Sequence, residues 1–527
     1  MQESMPLVLV LLGVIAAVHL LAQRVTTPAP ILLALGGALV ALIPGLPHLE
    51  LDPDLILVLF LPPLLYADAF NTSWIDFKRW LRPILMLAFG LVALTTLVVG
   101  LVAHAFLPEL PWAVCFVLGA VVSPTDTVAV QAVIERLHVP RRVTAILGGE
   151  SLVNDATGLV GVQVGVAVVL SGAFEAQSLV LVFSWVVIGG VAVGLAAGVL
   201  FSLANRFIRE TRVLFVLSLV SPYLAFLVAH QLGTSGVLAV VIAGFVVAWR
   251  IHTVPPRARI ELYSTWEMFV FVLNGLCFVI IGLQTPYLLL ETNAANPVVF
   301  KAGLAVSAAV IVTRIAWVFP GAYLPLLFSK SLRAKEGGYP PARGVVLASW
   351  CGVRGIISLA AALSVPRFLD DGSPFPGRNV VIACTLVVIL VTLIAQGLTL
   401  QPLIKLLGLR ADEDSAQEVR SAREAVLSAG IARLDAYCSE TSCPISVHHW
   451  RSLMADELVT LRDADGERGK RAASRLAVSN EVRREVTKAQ ESTLLELRDG
   501  EKINDNTFLD LQLELDRSRS DEVIAAS

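Results

Sequence analysis

The chain has 527 residues, of which 56% are hydrophobic and only 16% are charged, and its formal net charge is -3. Globular proteins carry about 25% charged residues, so this composition excludes an ordinary set of soluble domains and indicates a membrane protein. Residues 411–527 contain 24 of the 43 acidic and 16 of the 40 basic residues. We therefore predict a transmembrane domain over residues 1–410 and an acidic, helical, cytoplasmic regulatory tail over residues 411–527.

Apolar runs separated by charged or Pro/Gly-marked breaks predict thirteen spanning helices. A spanning helix needs about 20 residues. The first run lacks the basic flank and cleavage site of a signal peptide, so we interpret it as a spanning helix. The runs cover residues 5–23, 29–45, 53–70, 82–107, 111–134, 142–171, 178–206, 212–232, 234–250, 263–285, 298–328, 342–366 and 378–408, and the predicted tail helices cover 415–437, 447–461, 471–497 and 506–518.

The basic residues predict an orientation. With the N-terminus outside, the loops that face the cytoplasm contain 17 Lys and Arg residues, whereas the opposite loops and their flanks contain three. Cytoplasmic loops of membrane proteins are enriched in Lys and Arg. We expect a multi-pass plasma-membrane protein with an external N-terminus and a cytoplasmic tail.

Two carboxylates lie inside the sixth apolar run, at Glu150 and Asp155. A charge at the bilayer centre costs roughly 3 kcal/mol or more, so an intramembrane carboxylate indicates a functional site. Ser151 and Asn154 precede Asp155 by four residues and one residue, and the helical repeat groups the three side chains. We therefore predict that Asp155 binds a cation or a proton, with the polar side chains of Ser151 and Asn154 clustered beside it.

Glu150 points elsewhere, because five residues correspond to about 140° around a helix. A buried unpaired charge is strongly destabilising, so Glu150 requires a cation. The basic residues available within apolar runs are Arg314 and Arg354. We expect Glu150 to form an ion pair with one of them.

The fifth predicted helix is interrupted by Pro124, which removes a backbone hydrogen bond and crowds the preceding turn. Broken helices at membrane depth persist where the freed backbone groups line a cavity or meet a substrate. Thr125 and Asp126 stand at this break. Asp68, at the end of the third helix, is interpreted as an interface or funnel residue instead of a ligand.

The twelfth predicted helix has a second weak point, where Gly352 and Gly355 flank Arg354. Paired interruptions in the two halves of a transporter indicate its binding site. The fold class predicted is thus an all-α polytopic membrane protein with inverted repeats and crossing broken helices. If they cross, Asp126 faces the amide ends of one half-helix and Arg354 the carbonyl ends of another.

Three runs, at residues 123–130, 149–157 and 350–363, closely resemble the sodium/proton exchangers of the monovalent cation:proton antiporter-1 family, in particular a bacterial branch with a cytosolic helical tail. The resemblance covers residues 5–408 in helix count and order. It implies a homodimer, with helices near the N-terminus and around residues 212–285 on the dimer side. It also implies a moving core of helices four to six and eleven to thirteen.

The resemblance assigns roles to individual residues. Asp155 would be the ion-binding carboxylate, and Glu150 would pair with Arg314. Many family members carry proline at the position of Thr127, so this chain departs from the pattern there. By motif match, the site would comprise Asp155, Asn154, Ser151, Thr125 and Asp126, with Na+ at Asp155, Thr125 and Ser151, and with Arg354, Pro124, Gly352 and Gly355 supporting the crossing.

The favoured function is exchange of a monovalent cation (Na+, with Li+ or K+ also open) for a proton, because a buried carboxylate holds either ion but not both. One titrating carboxylate beside a neutral amide, together with the resemblance, predicts electroneutral one-for-one exchange by an elevator motion. The alternative is an uncoupled cation channel or ion sensor that uses the same site. A membrane-embedded enzyme is disfavoured, because His104, His230 and His252 lack metal-ligand spacing. We expect membrane lipid as a partner, no nucleic acid, and no cofactor beyond the transported ions.

The six cysteines suggest no disulfide framework. In the tail, Cys438, Cys443, His448 and His449 form a cluster with zinc-ligand chemistry. Their spacing matches no common zinc module, and we favour a cytosolic turn with reduced thiols.

Overall fold

The structure is a computed structural model. It describes residues 5–22, 24–25, 27–43, 53–137, 139–171, 176–208, 210–292, 296–369, 371–409, 413–440, 444–463 and 466–499, with residues 502, 507 and 511–512. Within these ranges the chain forms helices and turns, with an isolated bridge between Phe368 and Pro374. The all-α fold class is confirmed.

Helices account for every predicted apolar run, with ends that differ by a few residues except at residues 263–285, which form the middle of a longer helix. The chain divides into two compact units, residues Met1–Ala411 and Asp412–Ser527. The helices of the first unit are α1 Met5–Ala22, α2 Ala29–Ala41, α3 Pro53–Asn71, α4 Trp74–Arg79, α5 Leu81–Phe106, α6 Trp112–Val122, α7 Val128–Leu137, α8 Arg141–Ser171, α9 Ala176–Phe207, α10 Thr211–Gln231, α11 Gly236–Trp249, α12 Pro256–Glu291, α13 Pro297–Phe328, α14 Lys330–Lys335, α15 Ala342–Trp350, α16 Ile356–Leu363 and α17 Arg378–Leu407.

By length and composition, seven helices in the described part of the chain can each cross a membrane. They are α5, α8, α10, α12, α13, α17 and the Leu181–Phe207 part of α9. Helices α1, α2, α3, α6 and α11 are also apolar but shorter. Helix α5 contains a π-helical turn, Met86–Leu91, where the Trp317 indole donates to the Met86 carbonyl.

Two predicted spans are each divided into two short helices. Residues 123–127 separate α6 from α7, and residues 351–355 separate α15 from α16. Pro124 lies in the first interruption, and glycines 352 and 355 lie in the second. A proline cannot donate to the helix ladder and glycine gives the backbone its greatest freedom, so both interruptions follow from local sequence.

Close helix packing depends on small residues. A Cβ at Gly37 in α2 would overlap the Val279 carbonyl of α12, and a Cβ at Gly282 in α12 would overlap the Ala34 carbonyl of α2. Such facing glycines let helix backbones approach within the membrane. Helices α2 and α12 therefore form a tight pair.

The second unit consists of three helices, α18 Glu413–Glu440, α19 Ile445–Arg462 and α20 Glu467–Asp499. Asp456 on α19 is buried and paired with Arg475 on α20. The predicted helix over residues 506–518 lies almost wholly outside the described residues.

Candidate functional site

The two interruptions are joined by a backbone hydrogen bond. The N–H of Asp126 donates to the carbonyl of Val353 over 2.7 Å. This contact places the α6–α7 and α15–α16 breaks against each other. The backbone groups that the helix ladders release are thus partly satisfied across the crossing, as a low-dielectric environment requires.

The Asp126 carboxylate lies at the starts of two half-helices. Its Oδ1 accepts a hydrogen bond of 2.9 Å from the N–H of Val128, the first residue of α7. A Cβ at Gly355, which precedes α16, would overlap the Asp126 carboxylate, so only glycine leaves room for it there. A negative charge at helix N-termini is favourable, because the unpaired amides give those ends a partial positive charge.

Arg354 has the complementary position at the helix C-termini. Its Nε donates to the carbonyl of Val122, the last residue of α6, over 2.9 Å. Its Nη1 donates to the carbonyl of Gly352, just beyond α15. The side chain is buried, so its charge is compensated mainly by these carbonyl ends.

Glu150 forms a bidentate ion pair with Arg314 of α13. The Nη1–Oε1 and Nη2–Oε2 distances are 2.5 and 2.8 Å, and both side chains are at most 1% exposed. Arg314 Nε also donates to the Ala348 carbonyl near the end of α15, over 3.1 Å. Of the two candidate partners that the sequence offered, Glu150 therefore pairs with Arg314, and this ion pair connects α8 to α13.

Thr125 connects the first break to the polar face of α8. Its hydroxyl accepts from Asn154 Nδ2 over 2.8 Å and donates to Glu150 Oε1 over 3.3 Å. The Ser151 hydroxyl donates to the Thr125 carbonyl over 3.3 Å. Hydroxyl, amide and carbonyl oxygens therefore converge beside the break.

Asp155 is 2% exposed, and its Oδ1 is buried without a hydrogen-bond partner among the described residues. The Oδ1 of Asn154 is in the same state. Helix α8 approaches the break closely here, since a Cβ at Gly158 would overlap the ring of Pro124. Buried polar atoms are nearly always hydrogen-bonded, so these two unsatisfied oxygens on adjacent residues single out this part of α8 as the candidate site.

A cavity of about 500 Å³ approaches the break from one side. Its lining includes Asp68 of α3, Thr127 next to Asp126, and Gly148 of α8. Asp68 thus faces a cavity, in keeping with the funnel interpretation. The Thr127 carbonyl accepts from the N–H groups of Val130 and Gln131, so the residue that precedes α7 caps the helix without being a proline.

Sequence reasoning missed two polar residues of α17. The Thr392 hydroxyl accepts from the N–H of Arg354 over 3.2 Å and so supports the second break. One turn further, Gln396 is 1% exposed, and neither polar atom of its side chain has a hydrogen-bond partner in the part of the chain that the structure describes. The sequence contained a pattern that could have predicted them, because Thr385, Thr392 and Gln396 recur at helical spacing within a mainly apolar run.

The expectation of reduced thiols in the tail is wrong for Cys438, which is disulfide-bonded. Cys443 lies outside the described residues. Among the described residues, no group of three or more His, Cys, Asp or Glu side chains has the geometry of a metal site. Cys438 is therefore also an exception to the prediction that the cysteines form no disulfide framework.

Crossing broken helices with buried ionisable groups at the crossing define a class of secondary transporters that move ions. Comparison with known families identifies one family. Residues 7–406 match the family described as "Sodium/hydrogen exchanger, transmembrane". The chain belongs to this sodium/hydrogen exchanger family, so it is a multi-pass membrane antiporter and not an enzyme.

Curated relatives agree with this assignment. The chain is 36% identical to an uncharacterized Na(+)/H(+) exchanger of Mycobacterium tuberculosis, over 96% of this chain and 94% of the relative. It is 32% identical to a protein of Bacillus pumilus named "Sodium, potassium, lithium and rubidium/H(+) antiporter", over 96% of this chain and 76% of that one. A low-affinity Na(+)/H(+) antiporter of Synechocystis is also 32% identical, over 74% of this chain and 72% of the relative.

A solved structure shares the fold. The sodium proton antiporter MjNhaP1 of Methanocaldococcus jannaschii superimposes with a TM-score of 0.59 at 22% identity, over 77% of this chain and 99% of that one. At this identity the likeness establishes the fold alone.

Proposed function

We propose that this protein exchanges a monovalent cation for a proton across the plasma membrane, with Asp155 as the shared binding site. The observation that carries this proposal is the buried Oδ1 of Asp155, which lacks a partner beside the broken helix. Glu150, on the same helix, is instead fully engaged by Arg314. The two carboxylates therefore have separate tasks, and Asp155 is the one free to bind an ion.

Competition for Asp155 gives coupling. A proton neutralises the carboxylate, whereas Na+ requires it ionised, so the two ions exclude each other. Hard cations prefer oxygen ligands, and we assign this role to oxygens of Asp155, Thr125 and Ser151. Asn154 and Asp126 would shape the site, because Asn154 donates to the Thr125 hydroxyl, and Asp126 accepts from the first amide of α7 and lies against Gly355 before α16.

Exchange should be electroneutral, one proton per cation. Asn154 cannot ionise, and the Glu150–Arg314 pair has no net charge, so of the two carboxylates on α8 only Asp155 would change its proton content. An elevator motion would carry the crossing helices and α8 between the two sides of the membrane. We further propose a homodimer that leaves this core mobile.

Cation selectivity is proposed to include Na+ and Li+, and the name of the Bacillus pumilus relative suggests K+ and Rb+ as further substrates. The test is cation-induced collapse of a proton gradient in proteoliposomes that contain the full chain. Na+ should collapse the gradient, and an imposed membrane potential should leave the rate unchanged. A potential-dependent current without a stoichiometric proton flux would contradict exchange and indicate an uncoupled channel.

A further inference from the structure

The cavity that reaches Thr127 carries an ion pair in its lining. Arg141, the first residue of α8, lies with its Nε 2.8 Å from Oδ2 of Asp76 on α4, and both residues line the cavity. The Arg141 side chain is 45% exposed and the Asp76 side chain 15%. Exposed lining residues mark the rim, whereas Leu147 is buried and marks the inner wall. The pair therefore lies near the entrance.

The next residue provides a contrast. Arg142 does not line the cavity. Its Nη2 lies 3.5 Å from Oε2 of Glu336, and its guanidinium lies 4.2 Å from the ring centroid of Trp80. Of the two adjacent arginines that begin α8, only Arg141 contributes a charge to the cavity lining.

The charges of the lining determine which ions collect there. Asp68 and Asp76 are acidic and Arg141 is basic. A cleft with low-dielectric walls focuses the field of its lining charges and alters the local concentration of ions. Arg141 cancels the charge of Asp76 while the two are paired, and this leaves the carboxylate of Asp68 to attract the cation.

We propose that the Asp76–Arg141 pair sets the apparent cation affinity of the exchanger by fixing the net charge at the cavity entrance. The inference rests on the proposed function, since the cavity is taken as the route of the transported cation. Both residues act through the field at the entrance and do not bind the ion at Asp155. Their effect should therefore appear in KM and leave the maximal rate nearly unchanged.

Neutralising each partner separately should have opposite effects. Asp76→Asn removes one negative charge from the cavity lining and should raise the KM for Na+ about threefold or more at low ionic strength. Arg141→Gln leaves two carboxylates and should lower KM by a similar factor. The double variant should return KM close to that of the wild type, and Arg141→Lys, which keeps the charge, should also resemble it.

Measurements would use the full chain in proteoliposomes at several Na+ concentrations, with Arg142→Gln as the matched control. Choline chloride at about 1 M reduces the Debye length to about 3 Å and should abolish the differences. Shifts of the same sign, no shifts, or an Arg142→Gln effect equal to that of Arg141→Gln would overturn the inference. If the wild type itself shows no exchange, the proposed function fails, and that result is distinguishable from unshifted KM values in an active protein.

Discussion

The backbone N–H of Asp126 and the carbonyl of Val353 form a 2.7 Å hydrogen bond that joins the two interrupted helices. Around this bond an acidic side chain lies at the N-terminal ends of half-helices, and a basic side chain lies at the C-terminal ends. Asp126 lies at the starts of α7 and α16, and Arg354 lies beyond the ends of α6 and α15. The crossing is thus an electrostatic unit, and Asp155 lies on the helix that packs against it.

Arg354→Gln should destabilise the crossing, because glutamine cannot reach both the Val122 and the Gly352 carbonyls. Hydrogen bonds to charged groups contribute about 1.5–3 kcal/mol each. Thermal unfolding in detergent would measure the loss. Arg378→Gln is a matched control, since Arg378 also caps helix carbonyls, at Leu363 and Val365, but is only partly buried. Equal effects of the two substitutions would contradict a special role for Arg354.

Gly158→Ala should lower thermal stability and exchange activity, because the added methyl group would overlap the Pro124 ring. Overpacking of this kind costs about 1–3 kcal/mol. On the same helix, a Cβ at Gly148 meets no atom within 4 Å. Gly148→Ala should therefore keep or slightly raise stability, since alanine favours helix by about 1 kcal/mol over glycine. A Gly158→Ala protein as stable as the wild type would show that α8 does not press on the break.

Glu150→Gln should be strongly destabilising, by about 3–5 kcal/mol, because it leaves the Arg314 charge buried and unpaired. The double substitution Glu150→Gln and Arg314→Met should recover part of that stability by removing both charges. Removal of an exposed pair such as Arg471–Glu467 should change stability by no more than about 0.5 kcal/mol. Denaturation in detergent would compare them. A stable Glu150→Gln protein that has lost cation dependence would instead make Glu150 a ligand.

Much of this arrangement was accessible from sequence for physical reasons. A buried charge in an apolar run is costly, which singled out Glu150, Asp155, Arg314 and Arg354, and the interruptions at Pro124 and at the two glycines follow from backbone chemistry. The choice between Arg314 and Arg354 as the partner of Glu150 depends on tertiary packing, and charge alone cannot make it. The same holds for Thr392, whose hydroxyl becomes informative only when Arg354 lies beside it. The disulfide bond of Cys438 could not be predicted either, because the spacing of the tail cysteines does not determine whether a thiol is reduced or oxidised.

We propose Asp155 as the one carboxylate that proton and cation share. The most direct test is Asp155→Asn, an isosteric change that removes the charge, assayed as Na+-induced collapse of a proton gradient in proteoliposomes. We predict a folded protein without Na+/H+ exchange at any pH, beside a wild type that exchanges. Exchange at wild-type rates in Asp155→Asn would contradict the account.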